Sequence, residues 1–242
     1  IALKTLIIIQ ARMGSSRLPG KILKPLGEHD VLTYVVERCN KIKSVSDVIV
    51  ATSALSQDDQ VEDWCKHHGV SFFRGSEEDV LDRYVQCAKV YEPDYVMRVT
   101  ADCPFVDFEM ASEMVELMKQ EKVDIIDLDG ELPRGLAVEL ISYQALQYIH
   151  RHGHEPRHRE HVTYYAYEFK EEFQRASYSV PVTRRHPELR ITLDTEEDYA
   201  LCKAVTDHFK NPLVSSVDVI DFLLKHPEIA ILNKHIQQKP VV

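Results

Sequence analysis

No apolar run in this 242-residue chain is longer than a few residues, no cysteines stand in C-x-x-C pairs, and positive charge is in deficit. Each shortage excludes something. Leu6–Ile9 is too short for the apolar core of a signal peptide or for a membrane span, so no membrane insertion is expected. Five scattered cysteines predict reduced thiols in a cytoplasmic protein, not a disulfide framework. A formal net charge of −10 argues against nucleic acid as the main partner. There is no internal repeat, low-complexity tract or Gly/Ser linker. What remains is 44% hydrophobic and 28% charged, the profile of a globular protein long enough to bury a sizeable core.

Apolar runs and helical patterns alternate in the first half. Leu3–Ile9, Val48–Ala51, Val70–Phe73 and Tyr95–Val99 are rich in β-branched residues and predict strands. Between them, Val31–Lys43, Asp58–His68 and Glu77–Tyr91 predict helices. Val31, Val35, Cys39 and Ile42 share a face of the first, Gly69 ends the second, and Ser76 with Asp79 reads as a capping box for the third. This alternation predicts a mainly parallel sheet covered on both faces. From about 124 to 182 the rhythm breaks, with strands expected at Ile125–Leu128, Leu136–Ile141 and Ser177–Val182 and helices near Tyr143–His152 and Arg157–Phe169. Arg190–Leu193 is expected to return as a strand, and Thr195 with Asp198 caps a helix to about Phe209. We read residues 1–242 as one domain with an excursion suited to an acceptor lid and a dimer contact.

The most informative stretch is Gln10 to Lys21, at the end of the first strand. It places Gly14, Gly20, Ser15, Ser16, Arg12, Arg17 and Lys21 in one loop. Glycines let backbone approach a polyphosphate, N–H groups and hydroxyls donate to it, and cations neutralise it. It is not a Walker A loop: five residues separate Gly14 from Gly20, and Ile22 follows Lys21 where Ser or Thr would meet magnesium. Nor is it a dinucleotide fingerprint, because no glycine stands two residues after Gly14. Read without a ligand, it is a basic surface loop. Asp102 follows one strand and Asp194 another, so both are expected at the same carboxyl edge. Two aspartates beside a polyphosphate suit Mg²⁺, which takes a few carboxylate oxygens with phosphates and water. The alternative for each is a turn or helix-start residue.

The loop, together with Val50-Ala51-Thr52-Ser53, Arg74-Gly75 through Asp82-Arg83-Tyr84, Arg98 to Pro104, Arg159 to Thr163 and Leu193 to Asp198, resembles the sugar cytidylyltransferases. These include the CMP-Kdo and CMP-acylneuraminate synthetases, and the nearest resemblance is to the spore coat polysaccharide biosynthesis (SpsF) group. It spans nearly the whole chain. It implies a three-layer α/β/α, Rossmann-like nucleotide-diphospho-sugar transferase fold with a mixed, mainly parallel sheet. It implies an enzyme that joins a sugar to CTP, giving a CMP-sugar for a spore coat or other surface polysaccharide, with Mg²⁺ as cofactor and a possible homodimer. Carried onto these positions, Lys21 and Arg12 are catalytic. Ala11, Arg12, Gly14, Ser15, Ser16, Lys21, Thr52, Ser53 and Arg74 contact the nucleotide. Arg83, Arg98, Glu139, Glu160 and His161 face the acceptor, and Asp102 and Asp194 hold the metal. Many relatives carry Asp where Ala137 stands, which bears on the acceptor.

Other readings stay open. Thr52 and Ser53 also suit plain strand termination, Arg83 a pair with Asp79 on its own helix, and Arg98 a buried ion pair. Asp127-Leu128-Asp129 is a D-x-D of the kind that holds a metal in A-type glycosyltransferases. A non-catalytic nucleotide-binding assembly protein would keep the same loop. His154, His158 and His161 have helical metal spacing, but Pro156 interrupts any H-E-x-x-H register and no cysteine completes the set.

Overall fold

In a computed structural model, described over residues 2–242, the first strand is β1, Thr5–Gln10. Leu6 to Ile9 are fully buried, as a central parallel strand requires. Leu6 and Ile8 point into one core, Ile7 and Ile9 into the other, by the period of two. After the loop come a short turn at Lys21–Leu23, the small hairpin β2 (Pro25–Leu26) and β3 (His29–Asp30), and helix α1 (Val31–Cys39). Asp30 caps α1 by accepting the Thr33 N–H at 2.8 Å.

The order then runs β4 (Asp47–Ser53), α2 (Asp59–His68), β5 (Ser71–Gly75), α3 (Val80–Tyr91), β6 (Tyr95–Thr100), α4 (Phe108–Glu121), β7 (Ile125–Asp129) and β8 (Glu139–Ser142). It closes with α5 (Tyr143–His152), α6 (Pro156–Glu160), α7 (Tyr164–Glu168), β9 (Arg175–Ser179), α8 (Glu196–His208), α9 (Ser216–Lys225) and α10 (Pro227–Ala230). Seven strands form one sheet in the order β5-β4-β1-β6-β8-β7-β9, and β8 alone runs antiparallel to its neighbours. Helices α1, α2 and α4 pack on one face, α3, α5 and α7 on the other. This is the expected three-layer α/β/α, Rossmann-like fold with a mixed, mainly parallel sheet.

The stretch 124–182 supplies three strands of this same sheet, which makes it continuous with the N-terminal half. A third core, under the loop, joins Leu18 and Leu26 to Leu193, Leu201, Val219 and Leu223. Helices α8 and α9 thus tie the segment carrying Asp194 to the phosphate loop.

Four local expectations change. Arg190–Leu193 is not a strand: it makes one parallel bridge, Arg190 to Arg134, and runs on as extended coil. The expected helix Arg157–Phe169 is two short helices. They are separated at His161–Thr163, where Val162 sits at φ 39°, a region β-branched residues rarely adopt. Ser76 accepts the Asp79 N–H at 3.0 Å, but the cap of α3 is Asp79 itself, accepting the Asp82 N–H at 3.0 Å. Helices α4 and α9 were not anticipated, although Asp107 and Ser215 cap them. The cap after α2 is as expected, with Gly69 at φ 66°.

Candidate active site

The loop is closed on itself. Gly20, at φ 69°, donates its N–H to the Met13 carbonyl at 2.9 Å, and the Lys21 N–H reaches the Leu18 carbonyl at 3.2 Å. A buried carboxylate anchors the other end: Asp58 Oδ1 accepts the Met13 N–H at 2.8 Å, and Oδ2 accepts the Ser53 hydroxyl. Among the described residues, the backbone N–H groups of Gly14, Ser15, Ser16 and Arg17 donate to no protein acceptor. Four consecutive donors without protein acceptors in a closed loop are free to bind an anion.

The two aspartates converge under this loop through the backbone. The Leu193 N–H donates to the Asp102 carbonyl at 2.7 Å, and the Thr192 hydroxyl donates to the same carbonyl at 3.1 Å. Gly135, at φ 106°, makes the approach possible: a Cβ there would lie 2.6 Å from the Thr192 nitrogen. The Ile191 N–H can therefore reach the Arg134 carbonyl at 2.8 Å. Lys21 Nζ then lies 2.9 Å from Asp194 Oδ1 and 3.9 Å from Asp102 Oδ2. Arg17 pairs with the other Asp194 oxygen. Desolvation pushes the Asp194 pKa up, but the hydrogen bond and charge of Lys21, with Arg17, outweigh it and hold the carboxyl below its usual range. Asp198 fixes the turn, accepting the N–H groups of Asp194 at 3.0 Å and Thr195 at 3.1 Å and a two-point pair from Arg190.

Two carboxylates already share one cation here, so their placement fits a divalent ion. No group of three or more His, Cys, Asp or Glu side chains is arranged for a metal among the described residues. Asp102 and Asp194 would offer a divalent ion oxygen donors only.

Beyond the loop lies a cavity of about 590 Å³ lined by Gln10, Arg12, Glu77, Arg83, Arg98, Glu160 and His161, among others. Arg12 pairs with Glu77 at 3.0 Å. Arg83 does not pair with Asp79. It is fully buried and binds the carbonyls of Ser76 at 2.8 Å and Glu77 at 3.0 Å, which leaves Nη1 without a partner. Asp79 instead takes a two-point pair from Arg159. Arg98 pairs with Glu139 at 2.6 Å and touches the Gln10 amide oxygen at 3.3 Å. Burial raises the Glu139 pKa, but Arg98 and the Thr163 hydroxyl hold it below its usual value. Glu139 is thus fixed by Arg98 and Thr163, which makes it a support for Arg98 at this wall.

The remaining residues singled out from the sequence support the loops. Arg74 holds the carbonyls of Ser53 at 2.8 Å and Leu55 at 2.7 Å and pairs with Asp59. Thr52 is buried with its hydroxyl unpartnered. Ala11 is buried, and its N–H reaches the Ala51 carbonyl at 3.1 Å. Asp58 and Gly135 carry no local signal of their role, and Asp198, read from the sequence only as a helix-capping residue, also braces the Asp194 turn. Asp127, of the D-x-D, takes a two-point pair from Arg175, 2.8 Å at each contact, as a cross-strand tie between β7 and β9. The histidines disperse, His150 to Asp82 and His158 to Glu168. A larger groove of about 960 Å³ along α4 and β9 contains none of the residues singled out from the sequence. The smaller cavity, which Arg12 of the loop lines, is the candidate site.

Residues 6–235 match the family described as Cytidylyltransferase. The chain belongs to the cytidylyltransferase family. It is an enzyme of the nucleotidyltransferase class. It is 36% identical to the spore coat polysaccharide biosynthesis protein SpsF of Bacillus subtilis over 231 residues, covering 93% of this chain and 96% of that one. A cytidylyltransferase from Leptospira borgpetersenii superposes with a TM-score of 0.88 at 34% identity, covering 98% of this chain and all of the other. A CMP:2-keto-3-deoxy-manno-octonic acid synthetase complexed with CTP shares the fold at a TM-score of 0.68 and 18% identity, covering 85% of this chain and 99% of that one. No described helix is long and apolar enough to cross a membrane.

Proposed function

We propose that this cytidylyltransferase activates a sugar with CTP, in a Mg²⁺-dependent reaction, to give a CMP-sugar and pyrophosphate for a surface polysaccharide. Residues 1–242 act as one unit, the stretch 124–182 supplying much of the acceptor wall. One observation carries the reading: Lys21 stands between Asp102 and Asp194 beneath a loop with four free N–H groups. The SpsF name and the CTP bound to the fold relative support polysaccharide synthesis and CTP.

In this reaction an acceptor hydroxyl attacks the α-phosphorus, a new P–O bond forms, and the bond to the pyrophosphate oxygen breaks. Asp102 and Asp194 would hold Mg²⁺, which supplies charge neutralisation on the phosphates and a more acidic acceptor hydroxyl. The free N–H groups of Gly14 to Arg17 bind phosphate oxygens, joined by the Ser15 and Ser16 hydroxyls. Lys21 faces the charge that develops as the bond breaks. Arg12, half exposed on its pair with Glu77, joins the phosphates from the cavity side. Thr52 and Ser53 lie toward the base, with Arg74 holding their loop. Arg83, Arg98, Glu160 and His161 present the acceptor, Arg98 held in place by Glu139. The protein works by positioning and electrostatics, without a covalent intermediate.

The test is pyrophosphate release from each of the four nucleoside triphosphates with a panel of acid sugars and Mg²⁺. Release with CTP and at least one sugar is expected. Release from another triphosphate alone would overturn the choice of nucleotide. Tight CTP binding without turnover on any acceptor would favour the assembly-protein reading.

A further inference from the structure

The cationic loop of residues 10–21 is crossed by a segment more than two hundred residues later in the chain. Lys239 Nζ donates to the Ser16 hydroxyl at 2.7 Å. Arg17 Nη1 donates to the Gln237 carbonyl at 3.3 Å. Arg190 Nη1 donates to the Gln238 side-chain oxygen at 3.0 Å. Three consecutive residues are therefore bonded to the loop or to the arginine that braces the Asp194 turn.

The segment is tied down from below. Asn233 is fully buried, and its amide donates to the Arg190 carbonyl at 3.0 Å and to Asp198 Oδ1 at 2.8 Å. Asp198 also accepts the Asp194 N–H. One carboxylate thus fixes both the aspartate of the candidate metal site and the start of the crossing segment. The crossing and the site are parts of one hydrogen-bonded unit.

Charge separates Lys239 from the other cations of the loop. Arg12 faces Glu77, and Arg17 and Lys21 face Asp194. Lys239 meets only a neutral hydroxyl, and among the described residues no carboxylate lies within ion-pair distance of it. A polyphosphate in the cradle would find this ammonium unneutralised, with a donor to spare beside Ser16. A lysine so placed acts as a point charge on phosphate oxygens.

We propose that Gln237–Lys239 is a strap across the phosphate loop and that Lys239 is an additional polyphosphate-binding residue of this enzyme. The proposal rests on the reading that the loop holds a nucleoside triphosphate. Arg17 and Arg190 position the strap, and Lys239 contacts the ligand.

Calorimetry on the intact chain tests it, with Mg·CTP, Mg-pyrophosphate and CMP as probes and Lys239→Ala and Lys239→Arg as variants. Lys239→Ala is expected to weaken Mg·CTP and Mg-pyrophosphate about tenfold, to leave CMP within about twofold, and to keep the ligand-free melting temperature. Lys239→Arg restores most of the loss. Wild-type affinity of Lys239→Ala for Mg·CTP would overturn the strap while leaving the functional reading intact. An equal loss for CMP would also overturn it, because the effect would then not be on the polyphosphate. A wild-type protein that binds no nucleoside triphosphate would remove both the functional reading and this one.

Discussion

On the phosphate side of the carboxyl edge, Lys21, Arg17, Asp102 and Asp194 hold one another through ion pairs, and four loop N–H groups stand free. Around the neighbouring strand ends and cavity, Arg74 and Arg83 grip backbone carbonyls, Arg159 grips Asp79, and Arg98 is locked to Glu139. On the proposed reading, the first arrangement is a set of partners that a ligand exchanges: a divalent ion for lysine at the aspartates, a phosphate for carboxylate at the cations. The second fixes geometry, because removing any one arginine leaves carbonyls or a carboxylate without their donors. Chemistry concentrates where partners are exchangeable, and shape where they are not.

Substitutions sharpen that contrast. Lys21→Ala is expected to lower kcat by about two orders of magnitude or more while leaving the melting temperature nearly unchanged. Steady-state kinetics with a thermal melt checks it, and a normal rate would take Lys21 out of the site. Asp102→Asn is expected to abolish Mg²⁺-dependent stabilisation by CTP, whereas Asp127→Asn retains it. The reverse pattern would revive the D-x-D reading.

On the acceptor side the cost shifts from rate to stability. Glu139→Gln leaves Arg98 without its carboxylate in a half-buried wall, and a loss of about 2 kcal/mol is expected in denaturant unfolding. An unchanged midpoint would mean that Arg98 is not held by this pair.

The Asp194 pairs make a smaller, pH-dependent contribution to the ligand-free protein. Its folded pKa is lowered, so the unfolded chain takes up the proton first as pH falls. The stabilisation is therefore complete above the ordinary carboxylate range and is lost below it. The stability gap between wild type and Asp194→Asn should be flat above about pH 5 and should shrink toward pH 3. A gap independent of pH would exclude the ion pairs as its source. Added Zn²⁺ is expected to leave the melting temperature unchanged, since His150 and His158 are paired with acids on different elements.

How much of this was legible beforehand follows from the range of each signal. Leu6–Ile9 reads as a doubly buried strand from its own composition, and Gly69 and the Thr195–Asp198 box mark helix ends within a few residues. Helix α4 carries Met110, Met114 and Met118 at helical spacing, a signal the strand-based reading of this stretch does not use. Arg190–Leu193 has strand-like residues, yet its neighbours are the Asp102 turn and Arg134 rather than a continuous strand, so tertiary context overrode propensity. The break at Val162 has no Gly or Pro to announce it.

By itself the chain determined that a strand ends in a loop of glycines, hydroxyls and cations, because those residues act through their own backbone freedom and charge. Which distant acids face that loop, which arginines are tied up by carbonyls, and that residues 237–239 cross it were decided only in three dimensions. Such pairings depend on the register of the sheet and on close approaches like that at Gly135, and no local pattern encodes the distance between residues a hundred or more positions apart.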